Sequence, residues 1–494
     1  MPFITQGKTN WKYIIIVVVL IAVVGGGILG YQWWTAEKEV KAPEEVKVPE
    51  EKPTIEESTL NLTTTKLTTI PKEYDLAYPI VFGPDGRRVA YVASVTATAK
   101  KYVVLDGKEI GPYDHVEKLT FSPDSKRLAY IALKEGKYFV VLDGKEKGPY
   151  TEVSHLELTF SPDSKHFAYV VLKKIKYFVV LDEEERGPYD FTWELTFSPD
   201  GKHFAHAVEK EGKWLVILDG EEKGPYESAS SLTFSPDSKH FAYLIRKEGD
   251  QFVLLDGKEN GPYSNVWTLT FSPDSKRFAY ITYVIEKGKK EFVVLDGEQK
   301  GPYDEVWPRR LVFSSDSNYL AYTVKKEGKF FVILDNEQKG PYSRTGRVAF
   351  SPDSKQFAYA WANEKNFFVN VNGEEKGPYS YILDSPVGGF TFSPDGKHFA
   401  YQVNKEGDDF VVLDGKEKGP YQYGTTNLTF SLDSKHFAYV ATPEDIESKI
   451  VVLDGKEKKY DNIYLPFSFD SESKHLYYGA KIGQELWWVA EEVK

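Results

Sequence analysis

The chain has no cysteine, and Met1 is its only methionine. Disulfides, thiol nucleophiles and thiolate metal sites are thereby excluded. There is no excess of basic charge either. With a formal net charge of −12, the chain lacks the basic face that phosphate attraction requires, so no nucleic-acid partner is expected. No G-x-S-x-G nucleophile elbow, phosphate-cradling glycine loop, zinc spacing or D-x-D-x-D-G calcium loop occurs. No cofactor, metal or catalytic residue is assigned on that basis.

Long apolar runs are missing from most of the chain, with one exception. Residues 13–30, YIIIVVVLIAVVGGGILG, are eighteen residues without a charge, bracketed by Trp11 and by Tyr31, Trp33 and Trp34. At 1.5 Å per residue this run comes close to spanning a bilayer core, with aromatics at both interfaces. A cleaved signal peptide is the alternative. It would want small residues where Trp33 and Trp34 stand, and no lipid-accepting cysteine follows. The reading is a short tail at 1–12, a retained transmembrane anchor at 13–34, and a Pro/Glu/Lys-rich linker at 35–60. That linker has too little apolar surface to fold and serves as a flexible stalk. Lysines flank the span on both sides (Lys8 and Lys12; Lys38, Lys41 and Lys47). The chosen topology keeps the short tail inside and the large domain extracytoplasmic, at the cell surface or in the periplasm.

What the rest of the chain has is repetition. The unit LTFSPDSKRLAYIALKEGKYFVVLDGKEKGPY at 119–150 returns, lightly edited, to the end. The Asp of its FSPD turn recurs at Asp85, Asp124, Asp163, Asp200, Asp237, Asp274, Asp316, Asp353, Asp395 and Asp433, and Glu472 holds an eleventh slot. The spacings run from 37 to 42 residues. A period near 40 in strand-forming material predicts propeller blades. The fold expected over 61–494 is all-β: a β-propeller of about eleven four-stranded blades. A single ring is the simplest arithmetic, and two smaller rings are the alternative.

Four strands are predicted per unit: LTFS, RLAYIAL, KYFVVLD and KEKGPY. Pro and Asp shape the first turn, and Asp-Gly marks a hairpin between the third and fourth strands. Gly-Pro-Tyr occurs nine times. Its proline lacks a ladder donor and belongs at an outer edge. The last copy lacks a fourth strand, and residues 66–75 are expected to supply it, closing the ring.

At FSPDSKRLAY the units resemble the TolB-like, WD-type propeller repeats, over roughly residues 66–494. The resemblance implies a periplasmic or cell-surface binding module; other members cap a serine peptidase, for which no hydrolase domain is present here. The LDGKEKGPY half departs from the family motif, so no partner of the family is carried over.

The repeated residues read as scaffold. Asp in ten equivalent turns is turn chemistry. Six histidines share one slot (His166, His203, His240, His398, His436 and His475), but Arg88, Arg127, Arg277, Tyr319 and Gln356 fill it elsewhere. They read as surface side chains rather than ligands of one ion. The Tyr of Ala-Tyr reads as packing between blades. Function is sought where copies disagree, in the segments after Gly-Pro-Tyr and in the KEG-type turns, which propeller topology places on one face. Trp193, Trp267, Trp307, Tyr381, Tyr423 and Tyr464 fall there, before the first strand. These aromatics are candidate binding residues, with Asp190, Arg309, Arg310, Arg344, Arg347 and Asp384 as polar contacts. The expected function is a non-catalytic binding scaffold for a protein, peptide or envelope polymer. The alternative is a saccharide hydrolase or lyase in which carboxylates such as Asp190, Asp304 and Asp384 converge. A purely structural spacer is the third reading.

Overall fold

The computed structural model describes residues 62–69, 74–85, 87–95, 97–284, 290–307, 311–382, 389–444 and 446–493. The expected anchor at 13–34 and linker at 35–60 lie outside them. Among the described residues no helix is long and apolar enough to cross a membrane.

The described strands form eleven antiparallel sheets. In blade 2 the strands are His115–Phe121, Leu128–Lys134, Lys137–Leu142 and Lys145–Tyr150, paired in chain order. Blade 1 begins with Tyr74–Phe82 and blade 11 with Asn462–Phe469. The second strand of each blade is buried on both faces because it is sandwiched between two neighbouring blades. This explains continuous apolar runs such as Leu128–Lys134, whose first five residues are all buried. The fourth strand, as in Lys145–Tyr150, is mostly exposed and ends on a buried tyrosine. Gly-Pro-Tyr lies on this edge, as its missing donor requires.

The ring is single and closed. Among the described residues there are eleven apolar clusters, each bridging two neighbouring blades. One joins Phe82, Val89 and Tyr91 of blade 1 to Leu486 and Trp488 of blade 11. A Cβ on Gly479 would meet the Phe82 ring at 2.3 Å, so glycine is required at that closure. The two 42-residue spacings are insertions, not a crossing to a second ring. They reflect a longer second-to-third connection in blade 6 and interrupted first strands in blades 7 and 9. Blades 6 and 7, and blades 8 and 9, share ordinary clusters across them.

Blade 11 is completed from the amino-terminal side. Leu62–Thr69 pairs with Glu485–Glu492, from Leu62↔Glu491 to Thr69↔Glu485. The expected segment at 66–75 is thus shifted. Tyr74 and Asp75, which looked like the end of a Gly-Pro-Tyr-Asp edge, open the first strand of blade 1.

Candidate functional site

The first-to-second and third-to-fourth connections share one face, and its polar groups bind one another. Asp124 accepts from Ser122 Oγ at 2.7 Å and from the Lys126 N–H at 3.2 Å. These donors, the serine hydroxyl first, hold Asp124, Asp237 and Asp274 down at about 2. Each turn is also tied to the next blade: the N–H of Asp124 donates to Ser164 Oγ at 2.9 Å, and that of Asp200 to Ser238 Oγ at 3.0 Å. The same clasp recurs at Asp85, Asp237, Asp274, Asp316, Asp395 and Asp433. Where the next turn is SPDG, a Cβ on Gly201 would lie 2.6 Å from Asp163 Oδ1. There the carboxylate occupies the serine's place.

The histidine slot belongs to the same scaffold. His203, His240, His398 and His436 each bring Nδ1 within 2.7 Å of the Asp of the Asp-Gly turn in their own blade. Arg88, Arg127 and Arg277 make the equivalent ion pair through Nε. The ring or guanidinium then lies over the phenylalanine opening the next turn, as in His203–Phe234 and Arg127–Phe160. No group of three His, Cys, Asp or Glu suited to a metal occurs among the described residues. Grooves of about 320 to 390 Å³ recur between blades on this face, one between His203 and His240.

Inside the ring, the tyrosine of Gly-Pro-Tyr meets the tyrosine of Ala-Tyr in the next blade, hydroxyl to hydroxyl. The distances run from 2.7 Å for Tyr421–Tyr439 to 3.3 Å for Tyr113–Tyr130. Blade 4 breaks the pattern. His206 stands in the Ala-Tyr slot beside Tyr189, fully buried, and both its ring nitrogens lack a hydrogen-bond partner. Burial holds its pKa down at about 3, so the ring is neutral.

The opposite face carries the segments that vary. Variation there is partly conservative in chemistry. After six of the nine Gly-Pro-Tyr tyrosines, the next residue supplies a side-chain oxygen to an N–H of the KEG-type turn in the next blade: Asp114 to Glu135, Thr151 to Lys174, Asp190 to Glu211, Glu227 to Gly249, Asp304 to Gly328 and Ser380 to Glu406. Asp190 also pairs with Lys176, and Asp304 with Lys290 at 2.6 Å. These lysines, then the N–H donors, hold both carboxylates below the usual range. The structure therefore gives Asp190 and Asp304 clasp contacts on separate blades.

The candidate aromatics divide into two groups. Trp193, Tyr381 and Tyr423 are 38%, 48% and 54% exposed. Trp267 packs on Tyr283, Trp307 stacks on Phe330 at 5.2 Å, and Tyr464 packs against Phe82 of blade 1. Trp193, Trp267, Tyr381 and Tyr464 lie within first strands rather than before them. Strand one begins earlier than its LTFS core because a bulge interrupts it, between Trp193 and Thr196 in blade 4. Around Trp193 the structure adds three residues that the sequence reading did not single out. Phe191, 39% exposed, contacts Tyr177, Trp193 and Trp214, and Trp193 lies 5.5 Å from Trp214. The alternation in Phe-Thr-Trp was the available signal. Arg344, Arg347 and Tyr381 come together at a pocket between blades 8 and 9. Arg309, Arg310 and Asp384 lie outside the described residues.

No protein-family model and no curated protein matches the chain. Solved structures similar to it include a eukaryotic initiation factor, at 14% identity over 69% of this chain and 96% of that one, with a TM-score of 0.38. The Dos1 propeller is similar at 10% identity over 69% and 92%, with a TM-score of 0.31. The tricorn protease is similar at 14% over 84% and 46%, with a TM-score of 0.24. Likenesses this low carry no argument about function; the strand pairing alone makes this chain an eleven-bladed β-propeller.

Proposed function

We propose that this propeller, of the TolB-like, WD-type kind, is held outside the cytoplasm by its amino-terminal anchor. There it binds a protein, peptide or envelope polymer on its variable face, without catalysis. One observation carries the reading. Phe191, Trp193, Tyr381 and Tyr423 are exposed on the face that differs from blade to blade, on a ring whose opposite face spends its polar groups on itself. Large aromatics on a rigid scaffold supply binding area at low entropic cost.

The saccharide-hydrolase reading is disfavoured because Asp190 and Asp304 each hold their own lysine and N–H donor on different blades. A glycosidase pair needs two available carboxylates roughly 5 to 10 Å apart.

The test is photo-crosslinking of the full chain in its own membranes, with probes at Trp193 and Tyr423 and, on the opposite face, at Lys239. Partner adducts from the first two positions are expected. Adducts confined to Lys239 would place recognition in the recurrent grooves and overturn the reading. A compartment-sensitive reporter at the carboxyl terminus tests topology separately, and a cytoplasmic signal there would refute the localisation.

A further inference from the structure

Blade 8 carries glycine at a first-strand position where two of its sisters carry tryptophan. Its first strand, Arg344–Phe350, reads RTGRVAF, where blade 4 reads FTWELTF and blade 6 reads NVWTLTF. Gly346 thus stands where Trp193 and Trp267 stand in those blades. The backbone uses the missing side chain: a Cβ on Gly346 would lie 2.7 Å from the Cβ of Ala360. The space an indole fills elsewhere is left open. It forms a pocket of about 180 Å³ between blades 8 and 9, walled by Trp361, Phe367, Tyr381 and Phe390 and rimmed by Arg344 and Arg347.

The walls are fixed. Trp361 is stacked on Phe368 at 4.4 Å and on Tyr342 at 4.7 Å, and Tyr381 packs edge-on against Phe367 at 5.4 Å. The rim is unsatisfied. Arg88, Arg127, Arg186, Arg246 and Arg277 each donate to a carboxylate or carbonyl, whereas Arg87, among the described residues, bonds only through its backbone N–H. The guanidinium groups of Arg344 and Arg347 make no hydrogen bond or ion pair among the described residues. In a chain of net charge −12, two cations without a carboxylate partner among the described residues, beside an apolar pocket, mark a place for a ligand's anion. A guanidinium presents a planar fork that matches a carboxylate.

Size narrows the ligand. A dry cavity of about 150 Å³ accepts one benzene ring, whereas drug-sized ligands need roughly 300 Å³ or more. We propose that this pocket binds a carboxylate carried on a single aromatic ring, either a small free acid or the C-terminal aromatic residue of a peptide. The ring lies among Trp361, Phe367 and Phe390, and the carboxylate meets Arg344 and Arg347. This deepens the assignment of the variable face as the binding face and rests on it.

The test is calorimetric titration of the full chain in detergent. The probes are 3-phenylpropanoate, its amide, and a five-residue peptide ending in phenylalanine with a free or an amidated terminus. The acid is expected to bind, its amide at least tenfold more weakly, and Arg344→Gln and Arg347→Gln each to cost at least tenfold. Lys239→Gln, on the other face, serves as the control. A free-terminus peptide at least tenfold tighter than the acid assigns the ligand to a peptide end; equal affinity assigns it to a free acid. Equal binding of acid and amide, or wild-type binding by the double variant, overturns the proposal, and the acid–amide comparison needs no variant to fold. Partner crosslinks from Trp193 that persist while the acid fails to bind would remove this pocket and leave the binding face standing. Arg-dependent acid binding without any crosslinked partner would keep this pocket and remove the macromolecular partner from the proposed function.

Discussion

On one face of the ring, Asp and Ser repeat blade after blade, and nearly every such residue is bonded to its own turn or to the next blade. On the other face residue identities drift, yet the position after Gly-Pro-Tyr keeps a side-chain oxygen whether it is Asp114, Thr151, Glu227 or Ser380. Repetition of a residue is therefore a poor guide to function here, and so is variation. What marks a candidate on either face is whether a side chain is already engaged. His203 and Asp219 are engaged with each other; Tyr423 and the Arg344–Arg347 rim present surface to solvent.

The comparison is broken most severely where both faces depend on the wall between blades. Replacing Tyr322, nearly fully buried and bonded to Tyr303 at 3.1 Å, by alanine should cost about 3 to 5 kcal/mol, read by chemical denaturation. Next comes His206. Its folded pKa lies at about 3 against an ordinary value of 6.5, so in that window the unfolded chain binds a proton that the folded one refuses. Stability then rises with pH, by up to about 1.4 kcal/mol per unit from this group. It is lost as pH falls from about 6.5 towards 3. The variant His206→Tyr should remove that slope relative to wild type in melts recorded across the window, and an unchanged slope would refute the assignment.

On the repeated face, Ser238→Ala removes the acceptor for the Asp200 N–H and should cost about 1 kcal/mol, with partner binding intact. The smallest stability effect belongs to the variable face. Tyr423→Ala should change stability by no more than about 0.5 kcal/mol while lowering partner capture in the crosslinking assay. If Ser238→Ala abolished capture and Tyr423→Ala did not, the roles of the two faces would be exchanged.

Much of the fold was legible because blade rules are local. The FSPD and Asp-Gly turns, the doubly buried second strand and the edge proline each follow from a few residues, and the spacing of copies gave the number of blades. The start of strand one was not legible. Its bulge places Lys118, Glu194, Ser231, Thr268 and Asn427 at φ between 55° and 59°, and none of them is the glycine that usually marks such a conformation. A period-2 pattern interrupted without its marker reads as a loop, so the sequence places Trp193 and Trp267 before the strand rather than in it. The candidate site was legible as a set of residue types on one face. Which aromatics pack inward depends on partners in other strands of the blade, as Trp267 does on Tyr283 and Trp307 on Phe330.

By itself the sequence determined the repeat, the four-stranded unit and the face on which copies diverge, because these rest on local turn chemistry and strand burial. Only the tertiary structure decided that the ring is single, that Leu62–Thr69 closes it, and that Gly346 opens a pocket where other blades carry an indole. Those outcomes depend on which blades touch, through contacts such as Phe82 against Gly479 that join opposite ends of the chain.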